Sequence, residues 1–157
     1  MSAHARIPGL LSRAGITTAV TAATLAGTTL IPSATPEAEA ATPASKALKV
    51  AASKKGAPYR YGAAGPSRFD CSGLTQYSYK KAGKKLPRTA AAQYNRSKKI
   101  SAKSRKKGDL VFFHSGGSVY HVGIYAGEGR IWHSPKPGKT VRKERIWTKS
   151  VRYGRVR

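Results

Sequence analysis

The chain has 157 residues, 39% of them hydrophobic, with one cysteine and a formal net charge of +24. That length holds one ordinary domain, and a lone cysteine excludes a disulfide-stapled scaffold. A field this positive repels cations and attracts polyanions such as nucleic acid, an anionic membrane or cell-wall polymers, while a merely solubilising lysine surface is the plainer alternative.

Residues 1–13 carry His4, Arg6 and Arg13 and no acid; Ala14 to Ile31 carry no charge, and Ala38-Glu39-Ala40 supplies small residues at −3 and −1. This is the layout of a secretory signal over residues 1–40, cleaved after Ala40. A retained anchor is the alternative, but the uncharged run is diluted by Thr and Gly, so no stable membrane span is expected after processing. Removing residues 1–40 deletes two arginines and two glutamates and leaves the charge at +24.

Residues 41–46 read as a short polar linker, and 47–157 as the single folded domain. Lys46 to Lys55 has Leu48, Ala51 and Ala52 on one helical face and stops at Gly56. Ala57 to Pro66 is a Gly/Pro/Tyr loop. The next helix is predicted over Cys71 to Lys81, with Asp70 as N-cap and Gly83 as its glycine stop. Thr89 is placed to cap a third, short helix ending at Tyr94 or Asn95. From Lys98 to Lys107 six of ten residues are basic, which predicts a solvated loop.

Short strand-like runs follow at Leu110–Phe113, Val119–Ala126, Arg130–His133, Thr140–Ile146 and Val151–Arg157, separated by Gly, Pro and charged turns. Helices first and strands second predict an α+β domain, with N-terminal helices packed on a C-terminal antiparallel sheet.

Cys71 falls at the first turn of a predicted helix, where free N–H groups and the positive end of the dipole favour a thiolate and can hold an oxyanion. Taken alone, a cysteine is more often a small buried hydrophobe; the polar flanks Asp70, Ser72 and Gly73 favour the reactive reading. Asp70 works against a thiolate unless its cap role turns the carboxylate toward the helix amides. A nucleophilic cysteine needs a base. His121 lies within a strand, sharing a face with Gly123 and Tyr125, and His133 follows across the turn Gly127-Glu128-Gly129. A hairpin centred there sets the two histidines opposite each other, so that His133 fixes the tautomer of His121. The plainer reading leaves each a half-buried strand histidine. A zinc site on Cys71, His121 and His133 lacks any CxxC, HxH or HExxH spacing, and no metal or other cofactor is expected. His114, beside Ser115-Gly116-Gly117, reads as a loop residue.

Several blocks then fall in order: Pro58-Tyr59-Arg60-Tyr61-Gly62, Phe69-Asp70-Cys71-Ser72-Gly73-Leu74, Leu86-Pro87-Arg88-Thr89, Gly108-Asp109-Leu110-Val111-Phe112-Phe113, His121-Val122-Gly123-Ile124-Tyr125 and Ile131-Trp132-His133-Ser134-Pro135. Together they resemble the NlpC/P60 family of cell-wall cysteine peptidases, from about Ala47 to Pro135 and more weakly beyond. The resemblance implies a papain-like fold, with Cys71 as nucleophile, His121 as base and His133 as the residue that orients it. It also implies that Tyr59 lies near the oxyanion or substrate groove, that Asp70, Ser72 and Arg88 border the subsites, and that the substrate is the γ-D-glutamyl–diamino acid bond of peptidoglycan stem peptides. One departure is Ala63, where relatives often carry a second glycine. With the signal layout the expected protein is a secreted or wall-associated monomer, and the +24 charge is expected to hold it on anionic wall polymers where many relatives use repeat modules. A different class remains open: a non-catalytic secreted polycation binding wall polymers or nucleic acid, with Tyr94, Tyr120 and Tyr153 among its cations. No motif for specific nucleic-acid reading is present.

Overall fold

The computed structural model describes residues 41–157; the signal expected over 1–40 lies outside them. The chain begins with α1 (Pro43–Ser53), whose N-cap Thr42 accepts from the Ser45 amide at 3.1 Å, with Pro43 in the first turn. Proline there lacks only an N–H that has no helical partner anyway. Most of the stretch expected as linker is therefore helix. Next come α2 (Cys71–Lys81) and α3 (Ala90–Arg96), capped by Asp70 and Thr89 as expected.

The strands are β1 (Lys98–Ile100), β2 (Leu110–Ser115), β3 (Ser118–Gly127), β4 (Arg130–His133), β5 (Arg142–Arg145) and β6 (Val151–Arg155). They form one antiparallel sheet in the order β1-β6-β2-β3-β4-β5. β1 and a 3-10 turn at Ala102–Ser104 replace part of the solvated loop expected at 98–107. An edge strand needs only one hydrogen-bonded side, and lysines on it discourage pairing with other chains, so its basic sequence gave no strand signal.

α1 and α2 pack together, and α2 and α3 lie on β3. The core between them holds Ala47, Ala51, Leu74, Tyr79, Leu110, Phe112, Val122 and Ile124. Full burial of each large apolar side chain contributes about 1.5–3 kcal/mol. Val111, Phe113, Tyr125, Ile131 and Tyr153 form a second cluster on the other sheet face, so Leu110–Phe113 is buried throughout rather than alternating.

The β3–β4 hairpin corrects the expected register. Ile124 pairs with Trp132 and Tyr125 with Ile131, and an irregularity follows between Tyr125 and Gly127. Ala126 is the extra residue of a bulge. Continued along β4, this pairing sets His133 opposite Gly123, with His121 one same-face position further along β3. A Cβ on Gly123 would stand 2.8 Å from the Ile131 side chain, so glycine lets β4 pack closely here.

Candidate active site

Cys71 opens α2, and the start of that helix is fixed by Asp70. One carboxylate oxygen of Asp70 accepts from the Gly73 amide at 2.7 Å and the other from the Gly62 amide at 2.9 Å. Arg88 donates to both oxygens, at 2.9 and 2.6 Å, and to the Ser72 hydroxyl at 2.9 Å. Burial by itself raises the Asp70 carboxyl, but Arg88 and the two amides more than offset it and hold the group below the usual carboxylate range. The anion beside Cys71 is thus turned to the helix amides and paired.

The loop before α2 presses on the same turn. Ala63 accepts from the Asp70 amide at 2.8 Å, and a Cβ on Gly73 would stand 2.0 Å from the Ala63 carbonyl oxygen. Glycine at 73 is required by that approach; Ala63 itself has no positive φ, so replacing a glycine there leaves the loop intact. Gly73→Ala is expected to destabilise the fold by about 1–3 kcal/mol, read as a lowered Tm, and to displace Cys71.

The histidines come from the sheet. His121 Nε2 lies 2.9 Å from His133 Nδ1, and His133 Nε2 lies 2.6 Å from a carboxylate oxygen of Glu144 on β5. Arg142 pairs with the other Glu144 oxygen at 2.9 Å. Burial raises the Glu144 carboxyl, yet its bonds to His133 and Arg142 outweigh that and keep it ionised. An ionised carboxylate only accepts, so His133 carries its proton on Nε2 and offers the Nδ1 lone pair. His121 must then donate from Nε2, which leaves its Nδ1 unprotonated.

Burial, and then the neighbouring His133, press the His121 pKa down to about 3, with Glu144 pulling weakly the other way. Burial also lowers His133, against the hydrogen bond and charge of Glu144. The Cys71 thiol is pushed up, chiefly by burial and further by Asp70, while the amides of Val122 and Ser72 and the Ser72 hydroxyl hold it down. This runs against the expectation of a preformed thiolate: loss of hydration outweighs the helix start and presses both Cys71 and His121 toward their neutral forms.

These shifts fix a pH dependence of stability. Below about pH 6.5 the unfolded chain protonates histidines that the fold keeps neutral, so the unfolded state binds more protons. Stability is fully present above that pH and falls as pH drops from 6.5 toward 3. Tm measured across that window is expected to decline before the carboxylates titrate.

Cys71, His121 and His133 line one cleft of about 650 Å³ with Tyr59, Tyr120 and Trp147. Lys136, Arg142, Glu144 and Arg145 line it beyond His133. A second hollow of about 400 Å³ shares Tyr59, Cys71 and Tyr120 and continues past Asp70, Ser72 and Arg88. The groove therefore has two arms that meet at Cys71, and all seven residues singled out in the sequence border it. Burial keeps the Tyr59 hydroxyl protonated above its ordinary range, so it remains a donor. The Ser134 hydroxyl donates to the Phe69 carbonyl at 2.7 Å, tying the residue after His133 to the segment before Cys71. His114, expected in a loop, instead lies in β2 one residue before its end, paired with Val119, and its ring reaches the Gly116 carbonyl rather than the groove.

Sequence reasoning missed Glu144 and Trp147. Glu144 had a signal, as the one acid within Arg142-Lys143-Glu144-Arg145, two residues from Arg142 and hence on its face of the strand. Trp147 stacks on Phe113, with ring centroids 4.2 Å apart, and stands 5.7 Å from His121 and 5.5 Å from His133. It is more than half exposed and forms a wall of the cleft.

Helices on an antiparallel sheet, with a cysteine at a helix start sharing a cleft with strand histidines, define an α+β domain of the papain-like kind. The chain belongs to the NlpC/P60 family, whose model matches residues 56–155. It is 48% identical over 95 residues to the bifunctional muramidase/DL-endopeptidase CwlT of Bacillus subtilis, covering 58% of this chain and 29% of that protein. It is 45% identical over 106 residues to the probable endopeptidase p60 of Listeria monocytogenes, covering 64% of this chain and 22% of that one. The chain thus spans less than a third of the length of these two relatives. Among solved structures, NlpC2 from Trichomonas vaginalis superposes with a TM-score of 0.68 at 30% identity, covering 76% of this chain and 49% of that chain.

Proposed function

We propose that the protein is a cysteine-type peptidoglycan endopeptidase that cleaves stem peptides at the γ-D-glutamyl–diamino acid bond. The observation that carries this reading is the Glu144–His133–His121 hydrogen-bond chain ending in the cleft that holds Cys71. The family membership and the endopeptidase relatives support the substrate class.

The Cys71 thiol passes its proton to His121 Nδ1 as the sulfur attacks the scissile carbonyl. The oxyanion is held by the Cys71 and Ser72 amides, since that of Gly73 is already taken by Asp70, with the Tyr59 hydroxyl nearby. The C–N bond then breaks, the leaving amine takes the proton from His121, and an acyl thioester remains. Water, deprotonated by His121, releases the acid and restores the thiol. The arm lined by Asp70, Ser72 and Arg88 receives the D-glutamyl side. The opposite arm, with Lys136, Arg142 and Arg145, fits a leaving half that carries free carboxylate. Export by residues 1–40 and retention on anionic wall polymer through the +24 charge complete the reading.

The test is mass spectrometry of defined muropeptides after incubation with residues 41–157. Release of a fragment ending in γ-D-glutamate is expected; intact stems, or cleavage at another amide, would sink the bond assignment.

A further inference from the structure

We infer that a basic track at the C-terminal end of α2 is a docking site for a phosphodiester wall polymer, separate from the groove at Cys71. This rests on the reading that the net charge holds the protein on anionic polymer, and it adds where that contact lies.

A cavity of about 590 Å³ is lined by Gln76, Tyr77, Lys80, Lys81, Lys85 and Leu86. A second, of about 360 Å³, shares Lys85 and Leu86 with it and adds Lys84 and Arg96. No acidic side chain lines either, and neither shares a residue with the two arms of the catalytic groove. α2 has 11 residues, so the track lies about 15 Å along the helix from Cys71.

The charges there are uncompensated. The four acids of residues 41–157 are Asp70, Asp109, Glu128 and Glu144. Among the described residues the salt bridges use Arg88, His133, Arg142 and Arg155, and none uses a lysine. Lys54 and Lys81 hold their ammonium groups over one ring, at 5.1 and 5.6 Å from the Tyr77 centroid. Two like charges gathered at one ring repel, and an anion bound near them relieves that repulsion. The helix C-terminus opposes anions with the equivalent of about half a negative charge; the lysines clustered there outweigh it several-fold. Tyr77 and Leu86 in the lining offer apolar surface to the hydrocarbon of a polyol between phosphates. A linear polymer with regularly spaced phosphates fits a track of this shape better than a single small anion.

The experiment uses residues 41–157 and immobilised poly(glycerol phosphate), with duplex DNA of equal phosphate number as comparison. The track variant carries Lys80→Gln, Lys81→Gln, Lys84→Gln and Lys85→Gln. A control removes the same charge elsewhere through Lys103→Gln, Lys106→Gln, Lys139→Gln and Lys149→Gln. At about 0.1 M salt the track variant is expected to lose at least about tenfold in polymer affinity, with its log–log salt slope reduced by about three. The control is expected to lose no more than about threefold, and both are expected to cleave a soluble muropeptide as the parent does. Equal losses in the two variants would overturn the track while leaving the polymer reading intact. Parent protein that ignores poly(glycerol phosphate) would overturn both. Tighter binding of DNA through the same lysines would assign the track to nucleic acid instead.

Discussion

Cys71→Ala is expected to abolish muropeptide cleavage, with a loss of about 10⁴-fold or more in kcat/KM, while Tm stays near that of the parent. Alanine suits a first helical turn, and Cys71 makes no side-chain bond on which the fold depends: the N-cap, the Arg88 pair and the Ala63 contact all belong to Asp70 and Gly73. A cysteine serving only as a small hydrophobe would leave activity in place. His121→Ala should fall to a similar floor, and the double variant no further, if nucleophile and base act as one unit as proposed. The state of the thiol gives a second readout. With Cys71 pushed up by burial from its ordinary 9.0, alkylation by iodoacetamide is expected to accelerate only above about pH 9. A plateau of fast alkylation near pH 6 would mean a preformed thiolate–imidazolium pair and would overturn the neutral resting state. Wall binding should survive in Cys71→Ala; if the biological effect survives as well, the protein acts as a binding polycation and not as an enzyme.

What the sequence made legible was local. Asp70 before Cys71, the glycine two residues on and the stop near Gly83 place α2 because capping depends on residues within one turn. The pairing of His121 with His133 was reached by hairpin arithmetic, although the register was wrong by two. The side chains still meet because positions two apart on a strand share a face, so a slip of two leaves both rings on the same side of the sheet within hydrogen-bond reach. Three features lay beyond local reading. The bulge at Ala126 depends on how β3 fits both of its neighbours. Burial of the thiol depends on β3 closing over the start of α2, so the helix-end argument for a thiolate lost to desolvation. Trp147 follows the last residue of β5 by two positions and reaches the cleft only because Phe113 offers it a stacking surface. Strand β1 was missed for a different reason, since its lysines satisfy an edge as well as they satisfy a loop.

Glu144 is the residue whose role most needs the structure, and its removal tests the proton inventory of the site. Its carboxylate is the only member of the chain that cannot donate, so it dictates which nitrogen of His133, and then of His121, carries hydrogen. Glu144→Ala removes that constraint, and each ring is then free to adopt the tautomer that places a proton on His121 Nδ1, where it cannot accept from Cys71. The expected result is a fall in kcat of about 10- to 100-fold with KM little changed, a part of the 10²- to 10⁴-fold that general-base catalysis supplies. Glu144→Gln should lie between parent and Ala, since its amide oxygen still accepts from His133 but its amide nitrogen competes. The pH profile separates this positioning role from simple loosening of β5. Glu144 raises both histidines in the folded protein, so without it their basicity drops further. The acid limb of the kcat profile, where the base becomes protonated, is therefore expected to move to lower pH even as the plateau falls. A plateau that falls with the limb unmoved would mark Glu144 as structural, and the tautomer assignment would have to be abandoned.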